Sequence, residues 1–274
     1  MKRFILSGLL VITAFAAFSQ ESTYAKINGQ FSSYTKTQYS VTSKFGDYFR
    51  TIETKDVYAF DSSGLKTETA TYNAKDELLS KVNYKYDVSR NLISQIYTDQ
   101  AGNVSFKTTY EYNADGTLKA ENDYDVSDNL ISKTIYKYEG SKTTENFYDD
   151  AGKLLSRTIT SYNGDKVSEV VKYYGDGTLN EKVIYAYNDS GKISQIDSYD
   201  ELDELVSKAI FKYDANNVLT EIQTYNVRNV LVQRDIYKND SQGNPTRISV
   251  YDIAQKFGTT VNELQSISEY TYKK

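Results

Sequence analysis

One spacing constrains this chain more than any other: an aromatic residue, in most copies followed by Asp or Asn, recurs along it in alternating steps of about 12 and about 14 residues. The anchors Phe60, Tyr86, Tyr112, Tyr138, Tyr162, Tyr187 and Tyr213 each begin a new copy, and Asn239 fills the same slot in the next. A period of about 26 residues is the mark of a repeat architecture, in which each unit buries its faces only against its neighbours. Within a copy the residues alternate with period two. In LISKTIYKYE, from Leu130, Leu130, Ser132, Thr134, Tyr136 and Tyr138 share one face, and Ile131, Lys133, Ile135 and Lys137 the other. That alternation belongs to a β-strand. Short polar segments such as YNADGTL (Tyr112 to Leu118) and YDDAGKL (Tyr148 to Leu154) separate the strands. Asp or Asn starts each turn and Gly takes the positive-φ position, so consecutive strands pair as antiparallel hairpins.

The expected fold is therefore all-β: an antiparallel up-and-down meander of about 17 strands in a roughly 26-residue repeat. A sheet of that width twists and curls. A curved or spiralling sheet is the first expectation and a closed β-barrel the alternative, since closure depends on strand stagger.

Residues 1–19 read as a signal peptide. Lys2 and Arg3 precede an apolar run from Phe4 to Ala17, and small residues at Ala17 and Ser19 suit a cleavage site before Gln20. No Cys lies near that site for lipid attachment. Residues 20–45 read as an irregular, Ser/Thr/Tyr-rich lead-in that holds one strand, and 46–274 as a single β-repeat domain. The protein is expected to be exported, to the periplasm or the cell exterior. It is not expected to span a membrane after signal cleavage, because mid-strand Lys or Arg on one face and Ser or Thr on the other leave no apolar lipid-facing row.

Composition excludes several functions. With no His and no Cys, the chain has no Ser-His-Asp or Cys-His site, no disulfide and no zinc centre of the usual kind. Removing Lys2 and Arg3 leaves 30 basic against 37 acidic residues, a formal charge of −7 that disfavours nucleic acid as a partner. Turns such as Asn113-Ala114-Asp115-Gly116 start like calcium loops but lack a Glu at EF-hand spacing. The chain is read as a non-enzyme, without metal or cofactor.

The pattern Y-x-Y-[DN]-x-x-G-x-L, as in YEYNADGTL (Tyr110 to Leu118) and YAYNDSGKI (Tyr185 to Ile193), resembles the YD repeats of the RHS-like family across roughly residues 50 to 251. That resemblance implies an exported or cell-surface protein whose repeats curl into a β-shell, and it carries over no catalytic residue. The period here is longer than that family's. Near the C-terminus, IAQKFGTTVNELQSIS (Ile253 to Ser268) resembles part of a LysM module, a small glycan-binding domain. The repeat pattern claims Leu264 to Tyr272 as a strand, which leaves an enlarged loop with one helical turn.

Two files of residues are candidates for binding. The fourth residue of the long strand is basic in eight copies: Lys55, Lys81, Lys107, Lys133, Arg157, Lys182, Lys208 and Arg234. On one face this column is either a rail for an anionic glycan or a structural ladder, paired with Glu68, Gln95, Glu121 and Glu145 on the intervening strands. From Val170 onward the matching residues are apolar, so Lys182, Lys208 and Arg234 are the cations expected to be free for a ligand. The second file holds Tyr84, Tyr110, Tyr136, Tyr185, Phe211 and Tyr237, either as core or as an aromatic surface for sugar rings. Tyr185, Phe211 and Tyr237, beside those three cations, complete the candidate ligand-binding set. The expected function is a secreted or periplasmic repeat scaffold that binds an envelope glycan or a protein partner. The alternative is a structural protein that assembles through its sheet edges.

Overall fold

A computed structural model describes residues 27–44, 47–256 and 258–274. The expected signal peptide lies outside the described residues. The chain enters as β1 (Ser33–Lys44) and β2 (Asp47–Phe60). Hairpins then follow in sequence order: β3 (Lys66–Tyr72), β4 (Leu78–Tyr86), β5 (Leu92–Asp99), β6 (Val104–Tyr112), β7 (Leu118–Tyr124), β8 (Leu130–Glu139) and β9 (Lys142–Asp149). The second half runs through β10 (Leu154–Asn163), β11 (Lys166–Tyr174), β12 (Leu179–Tyr187), β13 (Ile193–Tyr199), β14 (Leu205–Tyr213) and β15 (Leu219–Asn226). It ends with β16 (Leu231–Asn239), β17 (Pro245–Lys256) and β18 (Thr259–Lys273).

Every neighbouring pair is antiparallel, and β1 pairs with β2 on one side and β18 on the other. The meander is thus a closed eighteen-stranded barrel, which replaces the open or spiralling sheet expected first. The closing strand comes from Ser33–Lys44, part of the segment read as an irregular lead-in. It matches Tyr34 to both Tyr58 and Tyr272. Within the ring each strand is paired on both sides. Beyond it, Val41–Lys44 with Asp47–Arg50, and Ile253–Lys256 with Thr259–Asn262, continue as two hairpins paired only with themselves, so association through sheet edges is confined to these extensions.

One turn geometry recurs thirteen times. In the first copy, the Gly64 N–H donates to the Asp61 carbonyl and the Asp61 N–H to the Leu65 carbonyl. The residue in the Gly64 position has φ between 56° and 90° in all thirteen copies, the left-handed region that Gly, Asn and Asp enter most easily. The Asp61 carboxylate accepts the N–H groups of Ser63 and Leu65, at 2.8 and 3.0 Å. Asp and Asn therefore template the turn before any tertiary contact forms. Beside each such turn the strand pairing slips by one residue, as at Thr71/Tyr72, the β-bulge that accompanies this loop.

The anchor tyrosines stitch the ring. Tyr112 Oη donates to the Leu92 carbonyl on β5's side of the preceding hairpin, at 2.8 Å. Tyr86, Tyr138, Tyr187 and Tyr213 make the same bond to the carbonyl 20 residues earlier. Each satisfies an acceptor next to a bulge.

The two faces differ in burial. Phe211 and Ile222 are each 5% exposed and Tyr136 8%, all on the face of the Tyr84 file, whereas Lys85, Lys137 and Lys212 on the other face are exposed. Side chains converge on the concave side of a ring, so the tyrosine file lines the interior. From β13 round to β2 that interior is apolar: Ile196, Phe211, Ile222, Tyr237, Ile248, Tyr270, Tyr34 and Tyr58 form one continuous cluster. Burying each such side chain contributes about 1.5–3 kcal/mol. Around β5 to β10 the interior is polar, with Gln95, Thr108, Thr134, Glu145 and Thr160 buried.

The hairpin after Tyr251 contains no helical turn among its described residues. Asp252–Lys256 and Thr259–Glu263 continue as paired strands. The LysM-like stretch is accordingly a β-hairpin, drawn out of the rim by its Thr- and Val-containing sequence.

Candidate functional site

The basic column does run in a straight file, on the outer wall. Lys107, Lys182, Lys208 and Arg234 sit directly across from Tyr124, Tyr199, Tyr225 and Tyr251. The result is a belt of alternating cations and tyrosines below one rim. Lys107 Nζ lies 4.8 Å from the centre of the Tyr124 ring and Lys182 Nζ 4.4 Å from that of Tyr199. The same two ammonium groups pair with Asp128 and Asp203, and Lys55 pairs with Asp76 at 2.7 Å. These acids are the positive-φ residues of three turns. The Asp203 hydrogen bond raises the Lys182 pKa. Lys81 bonds to Glu68 at 2.9 Å and Arg234 to Glu221 at 2.6 Å. Among the described residues, Lys133 and Lys208 have no ion-pair partner.

The expected pairing of the column with Gln95, Glu121 and Glu145 fails. Those residues lie across from Tyr84, Tyr110 and Tyr136, in the interior. Glu68 stands four residues before the last outward residue of its strand, Tyr72. Gln95, Glu121 and Glu145 stand three before theirs (Thr98, Tyr124 and Tyr148), and one residue's difference in a period of two changes the face. The six candidate ligand residues divide in the same way. Lys182, Lys208 and Arg234 are outside; Tyr185, Phe211 and Tyr237 are inside, paired with Ile196, Ile222 and Ile248. They do not form one site.

Sequence reasoning missed the acids that hold the cations. The signal is a Lys with an Asp 21 residues on: Lys55 with Asp76, Lys107 with Asp128, Lys182 with Asp203. Where Gly102 or Asn229 takes that position, Lys81 turns to Glu68 and Lys208 is left without an ion pair.

Inside, Glu121 and Glu145 flank Tyr136 on adjacent strands. Tyr136 Oη is 3.5 Å from Glu121 Oε2. Burial first, then the Asp123 charge, pushes Glu121 up to about 7. Burial, then the Glu121 charge, pushes Glu145 up to about 8. Desolvation also holds the Tyr110 and Tyr136 hydroxyls well above the ordinary phenol range. Glu145 Oε2 and Thr160 Oγ1 are buried without a hydrogen-bond partner among the described residues. Among the described residues no group of three or more His, Cys, Asp or Glu is placed to hold a metal.

At the opposite rim from the belt, a cleft of about 500 Å³ opens between the β14–β15 and β16–β17 turns. Asp214, Asn216, Val218, Thr220, Tyr237 and Asn239 line it, with Asp240 to Gly243 along one edge. Asn239 occupies the slot of the stitching tyrosines, and its Nδ2 donates to the Leu219 carbonyl at 2.8 Å, again 20 residues back.

No family model matches the sequence, and no curated protein matches it. Among solved structures, a porin-like protein from Bacteroides uniformis is 13% identical with a TM-score of 0.49, covering 89% of this chain and 98% of its own. A porin-like protein from Bacteroides vulgatus is 11% identical with a TM-score of 0.37, over 89% and 98% of the two chains. The TcdB2–TccC3 assembly without its hypervariable C-terminal region is 12% identical with a TM-score of 0.28. That likeness covers 83% of this chain and 16% of that one. Likenesses of this strength assign neither a family nor an activity. By its own geometry the molecule is an up-and-down, antiparallel eighteen-stranded β-barrel with a charged outer wall.

Proposed function

We propose that the chain is an exported, non-enzymatic β-barrel scaffold that works in water and holds an envelope glycan or a protein partner on its rims and outer wall. One observation carries this reading: cations stand mid-strand around the outer wall, all but Lys81 directly across from a tyrosine. A lipid-facing wall needs an uninterrupted apolar band, and Lys81, Lys107, Lys133, Arg157, Lys182, Lys208 and Arg234 interrupt it. Among the described residues no helix is long and apolar enough to cross a membrane. The resemblance to YD repeats agrees with export. The absence of His and Cys agrees with a role that is not catalytic. A structural role at the cell surface is the second reading; the closed ring directs any such assembly to the wall and rims.

The test is to produce residues 20–274 without detergent and challenge the protein with envelope polysaccharides and surface-protein extracts. A monodisperse, detergent-free barrel that retains one of these supports the scaffold. A protein that stays soluble only in detergent, or that partitions into liposomes, overturns it. Concentration-dependent sedimentation of the same sample, with no ligand retained, favours the structural reading instead.

A further inference from the structure

We propose that the rim cleft between the β14–β15 and β16–β17 turns is a binding site for one pyranose ring of a neutral glycan; this rests on the scaffold reading above. The cleft exists because one residue breaks the repeat. At Tyr86, Tyr112, Tyr138, Tyr187 and Tyr213 a phenol ring spans the distance to the rim carbonyl. At Asn239 a shorter amide reaches the equivalent carbonyl of Leu219. The bond is kept and the volume of the ring is vacated, which leaves room for a ring of similar size from a ligand.

The walls suit a saccharide. Tyr237 and Val218 supply apolar surface for the C–H face of a sugar. The polar groups left over from turn formation point to hydroxyl recognition. Asp214 Oδ1 accepts the N–H groups of Asn216 and Val218, and Oδ2 makes no bond within the described residues. The Asn216 amide and the Ser241 hydroxyl likewise have no partner among the described residues. A carboxylate oxygen, an amide and a hydroxyl together accept from and donate to vicinal hydroxyl groups. Asp240 is committed to its own turn, through the Gln242 and Asn244 N–H groups and the Asn244 amide. Its charge, with that of Asp214, leaves the cleft acidic and selects against phosphorylated or uronic-acid sugars.

Saturation-transfer NMR on the soluble barrel (residues 20–274) tests the site, with the methyl pyranosides of glucose, galactose, mannose and N-acetylglucosamine as probes. Asn239→Tyr restores the repeat and refills the cleft without removing the rim hydrogen bond. Asn216→Ala removes one exposed amide that no internal bond uses. We expect transfer to at least one probe, loss of that signal in Asn239→Tyr, and roughly fivefold weaker binding in Asn216→Ala, the effect of one neutral hydrogen bond. Transfer that persists unchanged in both variants overturns the cleft as the site and leaves the scaffold reading standing. Silence from all four probes also overturns the cleft, while retention of a polysaccharide by the same wild-type sample decides the scaffold reading separately. If Asn239→Tyr does not fold, Asn216→Ala carries the decision alone.

Discussion

Lys107 reaches the carboxylate of Asp128 across the face of the Tyr124 ring, and so ties the wall of the barrel to the turn one hairpin further on. Lys182, Tyr199 and Asp203 repeat the arrangement. The turn residue in each case sits at positive φ, near 60°. An Asp there trades backbone ease for an ion pair.

Replacing Asp128 with Gly should therefore change stability by less than about 1 kcal/mol. An exposed pair contributes about 0–1 kcal/mol, and Gly removes a left-handed penalty of similar size. Thermal unfolding checks this. A loss above about 3 kcal/mol would show that the belt holds the barrel together.

Tyr112→Phe should cost about 1 kcal/mol, the net worth of one hydrogen bond, because the Leu92 carbonyl loses its donor beside a bulge. Phe60 already stands at this slot in the first copy, so the fold should survive. Urea midpoints of the two proteins measure the difference, and an unchanged midpoint would mean that water satisfies the carbonyl equally well.

The interior acids set a pH dependence of a definite sign. The Glu145 pKa is raised in the folded barrel, so the folded state keeps its proton while the unfolded chain releases one above about 4.5. The stability associated with the protonated group is complete below that value and is lost as pH rises towards about 8. Turn carboxylates act in the opposite direction: hydrogen bonds from Asn103 and Asn129 depress Asp99 and Asp125, whose contributions are lost in acid. Glu145→Gln should flatten the alkaline limb and stabilise the barrel at pH 8, by an amount on the order of a few kcal/mol. Equal pH slopes for the two proteins would place Glu145 in contact with water.

Deleting residues 33–44 should make the protein aggregate. Without β1, the edges of β2 and β18 are both exposed, and long unpaired edges recruit other chains. Sedimentation of the truncated protein against the full barrel reads this directly; a soluble truncated monomer would mean that β2 and β18 can pair with each other.

Local chemistry is enough to derive much of this molecule. The turns are local, because the Asp or Asn that opens twelve of the thirteen and the left-handed residue three positions on lie within five consecutive residues. Alternation in LISKTIYKYE places Lys133 and Tyr136 on opposite faces whatever surrounds them. The up-and-down order follows from turns too short for any other connection.

What the chain could not declare residue by residue was anything that accumulates over distance or depends on a slip of one. Glu121 and Glu145 stand three residues before the last outward residue of their strands where Glu68 stands four, and that single residue turns them into the interior instead of towards the lysines. Closure depends on the summed twist and stagger of eighteen strands and on whether β1 arrives opposite β18. The repeat thus determined the meander, its turns and its two faces, since each arises from contacts a few residues apart. Only the tertiary structure decided which face is inside and that the ring closes, because both depend on where strands distant in sequence meet.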